Sequence, residues 1–148
     1  VLANINTNFT SAIVFMTEVI RHFQSVDCRK VVASISSGAA LKGYSGWSLY
    51  CAAKAGLENF IRAVALEQQR QRSPFLPINI DPGVIDTPMQ AFIRASAIED
   101  FPDLPRFVQR KETDGLQAPA DVARAVRRMF EDASLVGGER YETDDYLN

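Results

Sequence analysis

Cysteine, histidine and tryptophan are scarce in this sequence of 148 residues, which holds two, one and one of them. Two distant cysteines, Cys28 and Cys51, make no disulfide framework; they suit a reducing compartment, and a cytoplasmic location is expected. With His22 as the single histidine, no metal site is supported, and His22 reads as a helix surface residue. No apolar run approaches the roughly 20 residues of a membrane-spanning helix, so no membrane partner is expected. Neither charge dominates: 16 Lys+Arg stand against 18 Asp+Glu. A basic surface for nucleic acid is therefore not expected. Proline is missing before Pro74, and all seven prolines lie between Pro74 and Pro119. The first half is free to form long elements, while the second half is broken into short ones. No repeat, low-complexity stretch or signal peptide is visible. The sequence starts at Val1 within what already reads as structured chain, and it is expected to be a piece of something longer.

What is present is globular. A hydrophobic content of 47% with a net charge of -2 excludes disorder, and the length suits one domain. Ile13, Met16, Ile20 and Phe23 recur at helical spacing and predict a helix over Thr10–Phe23, its apolar face widened by Phe15 and Val19. Val31–Ile35 is a β-branched run suited to a strand buried on both faces of a parallel sheet. A loop with Gly38, Gly43 and Gly46 follows. Leu57, Phe60, Ile61 and Val64 mark a helix from about Ser48 to Gln71. Leu76–Asp81 reads as a strand ending at Pro82-Gly83. Residues 86–117 read as loop with short helices. Ala118-Pro119 opens a helix running to about Phe130, and Arg140–Thr143 reads as a last strand. Helices alternating with strands predict an α/β fold with a parallel sheet and helices on both faces. Three strands make a small sheet with an exposed edge.

The strongest local feature is Tyr50-Cys51-Ala52-Ala53-Lys54. Tyr50 and Lys54, four apart on a helix, share one face. They read either as a solvated pair or as a proton-transfer pair in which the ammonium lowers the phenol's pKa. Ser36-Ser37-Gly38 closes the preceding strand, thirteen residues before Tyr50. Pro82-Gly83-Val84-Ile85-Asp86-Thr87 closes the next strand, where Gly83 lets a ligand approach the backbone. In an open parallel sheet, strand carboxyl ends line the ligand crevice.

With Asn8-Phe9-Thr10-Ser11 in front, these motifs resemble the short-chain dehydrogenase/reductase family in order and spacing. The match covers the family's C-terminal half or somewhat more. Gly46-Trp47-Ser48-Leu49-Tyr50-Cys51, the run from Gly83 to Gln90, and Gly138-Glu139-Arg140-Tyr141-Glu142 resemble the branch of sepiapterin reductase and bacterial benzil reductases. The resemblance implies the C-terminal part of a Rossmann-type doubly wound parallel sheet without its N-terminal glycine-rich half. No G-x-G-x-x-G occurs here. Residues 1–148 would be a partial NAD(P)-binding domain with a substrate lid at about 87–116.

The family's activity implies NADP(H)-dependent reduction of a small-molecule carbonyl (a ketone, diketone or pterin side chain). NAD(H) stays open, because residues that choose between the two would precede Val1. Carried over by position, Tyr50 would protonate the carbonyl oxygen and Lys54 would hold the ribose. Ser37 would bond the substrate oxygen, and Asn8 would position a relay water. Ile85 backbone groups and the Thr87 hydroxyl would bind the carboxamide, with Pro82 and Gly83 beneath the ring. Glu142 would grip a pterin amine, and Tyr44 and Trp47 would face an aromatic substrate. The family also implies a homodimer or homotetramer for the complete protein. The competing reading is a catalytically silent homologue that binds a nucleotide or a partner.

Plainer roles stand beside these. Ser36 and Ser37 end a strand by bonding local backbone. Asn8 and Thr87 cap helices. Tyr44 and Trp47 simply pack, Cys51 is a small buried filler, and Glu142 is a solvated terminal charge. Asp81 departs from the family pattern, in which the residue before Pro-Gly is small. An unpaired carboxylate there is costly, so Asp81 is expected to have a partner or a raised pKa, and activity is expected to be reduced or altered.

Overall fold

The apolar run at the first predicted strand forms β1 (Lys30–Ile35) in the computed structural model, which describes residues 1–147. The second forms β2 (Phe75–Asp81) and the last β3 (Arg140–Glu142). All three are parallel in the order β1-β2-β3, with Ala33 opposite Ile78 and Ile80 opposite Tyr141. Parallel neighbours need crossovers. α3 (Ser48–Gln68) makes the first, and α4 (Pro88–Arg94), α5 (Leu104–Glu112) and α6 (Pro119–Glu131) lie in the second.

Period-two alternation sorts the strands' side chains between two cores. Ile78 and Ile80 pack with Met129 and Leu135 on the α6 side, joined by Val31 and Ala33. Val32 faces the other way, onto Leu57, Ile61 and Met16. Ile78, Asn79 and Ile80 are fully buried in the central strand. β1, by contrast, is only half-buried along Val31–Ala33, because it forms one edge of the sheet. Pro77 sits in the central strand without harm. Its carbonyl accepts from Gly138, so its missing N–H faces the β3 side before β3 begins.

The first helix starts earlier than Thr10. α1 (Leu2–Ile5), a π-helical turn at Asn6–Thr10 and α2 (Ser11–Phe23) follow one another with helical dihedrals at both junctions. At the start of α2, Ser11 Oγ donates back to the Thr7 carbonyl in the turn at 2.9 Å, drawing on the main-chain ladder. Phe9 packs so tightly on α3 that a Cβ at Gly56 would lie 2.8 Å from its ring. α3 ends at Gln68, three residues before the expected end. Gln68 accepts from the Phe75 amide at 2.8 Å and donates to Gln24 at 3.0 Å, which fixes the turn into β2. β3 is one residue shorter than expected, and Thr143 opens a 3-10 turn to Tyr146. No helix of the described residues is long and apolar enough to cross a membrane.

Candidate active site

The carboxyl ends of β1 and β2 open into a cavity of about 1070 Å³. Asn8, Ser37, Tyr44, Trp47, Tyr50 and Lys54 line it, together with Pro82, Gly83, Ile85 and Thr87. Ten of the eleven candidate residues thus line one cavity. Glu142 does not line it. Its side chain is exposed on β3, on the same strand face as Arg140 and 4.0 Å from that residue's Nε. The acidic residues at the cavity are Asp81 at the end of β2 and Asp144, which lies in the 3-10 turn that follows β3 and accepts from Gln117.

Ser37 leaves β1 with extended backbone, and its Oγ accepts from the Ala39 amide at 3.2 Å. It therefore caps a 3-10 turn as well as facing the cavity. Tyr50 stands in the first turn of α3. Burial pushes its phenol above the ordinary value of 10.0, a hydrogen bond with Ser37 pulls it partly back, and the charges of Asp81 and Cys51 add to the rise. This corrects the expectation that Lys54 sets a lowered phenol. The Lys54 Nζ stands 5.6 Å from the centre of the Tyr50 ring and donates to the Ile35 carbonyl at 2.7 Å. Desolvation lowers the pKa of that ammonium.

Asn8 lies inside the π-helical turn, so it caps no helix; its Nδ2 donates to the Asn4 carbonyl at 3.1 Å. Thr87 holds the N-cap position of α4 through its carbonyl alone, which accepts from Gln90 at 2.9 Å, leaving its hydroxyl to the cavity. Gly83 has φ +68, and Gln117 packs 3.1 Å from where a Cβ would stand. The close neighbour of this glycine is thus a side chain of the same protein. Around Ile85, Gln117 donates to the Val84 carbonyl and accepts from the Asp86 amide. The alternation of an extended chain turns Ile85's own amide and carbonyl away from Gln117.

Trp47 both packs and lines the cavity. It stacks on Phe101 with centroids 4.6 Å apart and planes 5° apart, and meets Phe107 edge-on. Tyr44 lies 5.4 Å from Trp47. Cys51 is half-buried rather than fully buried, and His22 is exposed against Phe23. Among the described residues no group of three metal-binding side chains occurs.

Asp81 has the partner its position demanded, since its carboxylate pairs with Arg140. Sequence reasoning missed Arg140, buried Glu58 and buried Gln90, whose Oε1 accepts no hydrogen bond although the residue lines the cavity. Glu58 had a visible signal, as it continues the four-residue spacing of Tyr50 and Lys54.

The sequence profile described as short chain dehydrogenase matches residues 1–97. The chain is 36% identical to a benzil reductase ((S)-benzoin forming) of Bacillus cereus over 97% of its length, and 27% identical to a sepiapterin reductase of Xenopus tropicalis over 95%. It spans 58% and 50% of those two relatives. A crystal structure of the KRED1-Pglu enzyme superposes with a TM-score of 0.66 at 30% identity, over 75% of this chain and 46% of that one. An actinorhodin polyketide ketoreductase with NADPH superposes with a TM-score of 0.72 at 21% identity, over 91% of this chain and 54% of that one, a likeness of fold.

Proposed function

The chain belongs to the short chain dehydrogenase family, and on that premise we propose that the protein is a nicotinamide-dependent reductase of small carbonyl compounds. Aromatic ketones and diketones are the proposed substrates, and NADP(H) the proposed cofactor. The carrying observation is the convergence of Ser37, Tyr50 and Lys54 on one cavity whose lining also holds Ile85, with an amide and a carbonyl that take no hydrogen-bond partner among the described residues. A carboxamide needs that donor and acceptor side by side, so this lining fits the nicotinamide end of such a cofactor. Ile85 and Thr87 would hold the carboxamide, Lys54 the ribose, with Pro82 and Gly83 flooring the ring. The reduced cofactor, when bound, supplies a hydride.

The chain's own residues handle the oxygen. Ser37 donates a hydrogen bond to the carbonyl oxygen, favouring the charge that gathers there. Tyr50 delivers the proton, and its raised pKa keeps the phenol protonated through neutral pH. Asn8 positions water towards Lys54. Residues 1–148 then form part of an NAD(P)-binding domain, with a lid over 87–116 whose Phe107 lines the cavity and whose Phe101 backs Trp47. The complete protein is proposed to be a homodimer or homotetramer through α2 and α3, supported by Val14, Phe15 and Leu66, which are more than half exposed.

The test is NADPH oxidation by the full-length protein with benzil. Tyr50→Phe is expected to lower turnover by about 100-fold or more. Full turnover without the phenol would overturn the assigned proton donor, and no turnover by the wild type would overturn the reading.

A further inference from the structure

Behind the cavity lies a buried ionic cluster that the mechanism above does not use. Glu58 follows Lys54 by one helical turn on α3 and is 1% exposed. Its Oε2 receives Arg62 Nη2 at 2.8 Å, while its Oε1 receives the Ser36 hydroxyl and Arg140 Nη1. Arg140 reaches further: Nη2 pairs with Asp81, and Nη1 lies 3.1 Å from Ser36 Oγ and 3.5 Å from the Ser37 carbonyl. One guanidinium from β3 therefore touches the end of β1, the Tyr50–Lys54 helix and the end of β2. Buried ion pairs are poor sources of stability compared with apolar packing of similar volume, so their use here calls for a geometric reason. Arg supplies one, because its rigid fork bonds several acceptors at fixed angles where Lys offers a point charge.

Resting on the proposed function, we propose that Arg140 is a positioning residue for the catalytic centre: it fixes Ser37 relative to Tyr50 and holds the Asp81 charge away from the phenol. Asp81 is one of the charges that raise Tyr50, and Arg140 is its counter-charge. The phenol is faced by Ser37 from β1, by Cys51 and Lys54 from α3, and by Asp81 from β2. Arg140 itself is faced by Glu58, Asp81 and Glu142.

The test uses the full-length protein with Arg140→Gln and the neutral triple variant Glu58→Gln, Asp81→Asn, Arg140→Met. Three readouts are taken: thermal melting, kcat and KM for benzil reduction, and the tyrosinate titration of each protein against its Tyr50→Phe counterpart. In Arg140→Gln the Tyr50 titration is expected to move to higher pH, and in the triple variant to return to or below the wild-type position. The triple variant is expected to melt near the wild type, yet with kcat lowered about tenfold and KM within about twofold, the pattern of an interaction made only in the transition state. Wild-type kcat in the triple variant would overturn the proposal. An unfolded triple variant, in which no buried charge is left unpaired, would assign Arg140 to structure alone and overturn it too. A wild type inactive on benzil would sink the functional reading, while an unmoved Tyr50 titration would sink the positioning role by itself.

Discussion

Lys54 donates to the Ile35 carbonyl at 2.7 Å, so the ammonium of α3 is fastened to the carboxyl end of β1. The bond joins the helix that carries Tyr50 to the strand that leads into Ser37. An ammonium has three protons, and two stay available to a ribose at the cavity. Lys54→Met removes the anchor and the donors together. It is expected to lower kcat/KM by about 100-fold or more. Lys54→Arg should recover little, because the guanidinium is longer and planar. Steady-state kinetics of the full-length variants beside their melting curves check this. Activity near wild type in either variant would count against it.

The phenol's environment sets a pH dependence. Burial leads the causes that raise Tyr50 above 10.0, so the group binds its proton more tightly than free tyrosine. As a general acid it remains competent until pH rises through that elevated value. Carbonyl reduction is therefore expected to show a basic limb only above about pH 10. Alcohol oxidation needs the phenolate and is expected to keep rising across the same range. A basic limb for reduction centred near neutrality, measured as kcat/KM against pH, would contradict this assignment.

The helices and strands were legible where periodicity and stop signals agree. The β-branched run Val31–Ile35 and the Pro82-Gly83 break located both long strands to within a residue. The first helix begins at Leu2, eight residues before the expected Thr10. Asn4, Asn6, Thr7, Asn8 and Thr10 carry no apolar rhythm, and a π-helical turn breaks the 3.6 period on which the reading depends. At the site, the family motifs marked the cavity wall, but the support behind it was hidden. Asp81 announced that it needed a partner, yet Arg140 lies 59 residues further on. No local pattern reports a pairing at that separation. Asp144, not Glu142, reaches the cavity because the strand ends and the chain turns between them.

Trp47 and Phe107 give the cavity an aromatic wall from two segments far apart in the chain, and buried Phe101 stacks on Trp47 from behind. An offset or stacked aromatic pair contributes about 0.5–1.5 kcal/mol beyond its buried area. An aryl ketone that packs on this wall should feel a similar term. Trp47→Ala is expected to raise KM for benzil about five- to tenfold, and KM for a small aliphatic diketone about twofold or less. Equal changes for both substrates would show that Trp47 shapes the lid without selecting aromatic rings.

Lys30 is buried with its Nζ bonded to the carbonyls of Gln24, Val26 and Ser73, at 3.0, 2.6 and 2.9 Å, and to Ser73 Oγ at 2.9 Å. It closes the end of α2 onto the turn before β2. Lys30→Met keeps the apolar stem but takes its ammonium from the Gln24 carbonyl, while Ser73 Oγ still donates to Val26 and Gln24 Nε2 to the Ser73 carbonyl. The expected loss is about 1–3 kcal/mol of unfolding free energy, the range for a stranded buried acceptor. Denaturant unfolding of the full-length variant measures it. A loss below about 0.5 kcal/mol would mean that water replaces the ammonium at little cost.

Tyr146 donates to Asp132 Oδ2 at 2.6 Å, tying the final 3-10 turn to the end of α6. Asp132 also accepts from the Ser134 amide and hydroxyl through its other oxygen. The hydrogen bond from Tyr146, followed by those from Ser134, lowers Asp132 from 3.8 to about 2. The carboxylate in turn raises Tyr146 from 10.0 to about 12. For Asp132 the folded pKa is depressed, so its contribution is present above about pH 4 and is lost as pH falls towards 2. For Tyr146 the folded pKa is raised, so its contribution is present below about pH 10 and is lost as pH climbs towards 12. Tyr146→Phe is expected to move the Asp132 titration upward without reaching the free value, because Ser134 keeps its two bonds. It should also flatten the alkaline loss of stability. Carboxyl-carbon NMR titration reads the first effect and thermal melting across the alkaline range the second. An Asp132 midpoint unmoved by Tyr146→Phe would show that Ser134 alone holds the carboxylate, and that the turn at Thr143–Tyr146 is not fastened through this pair.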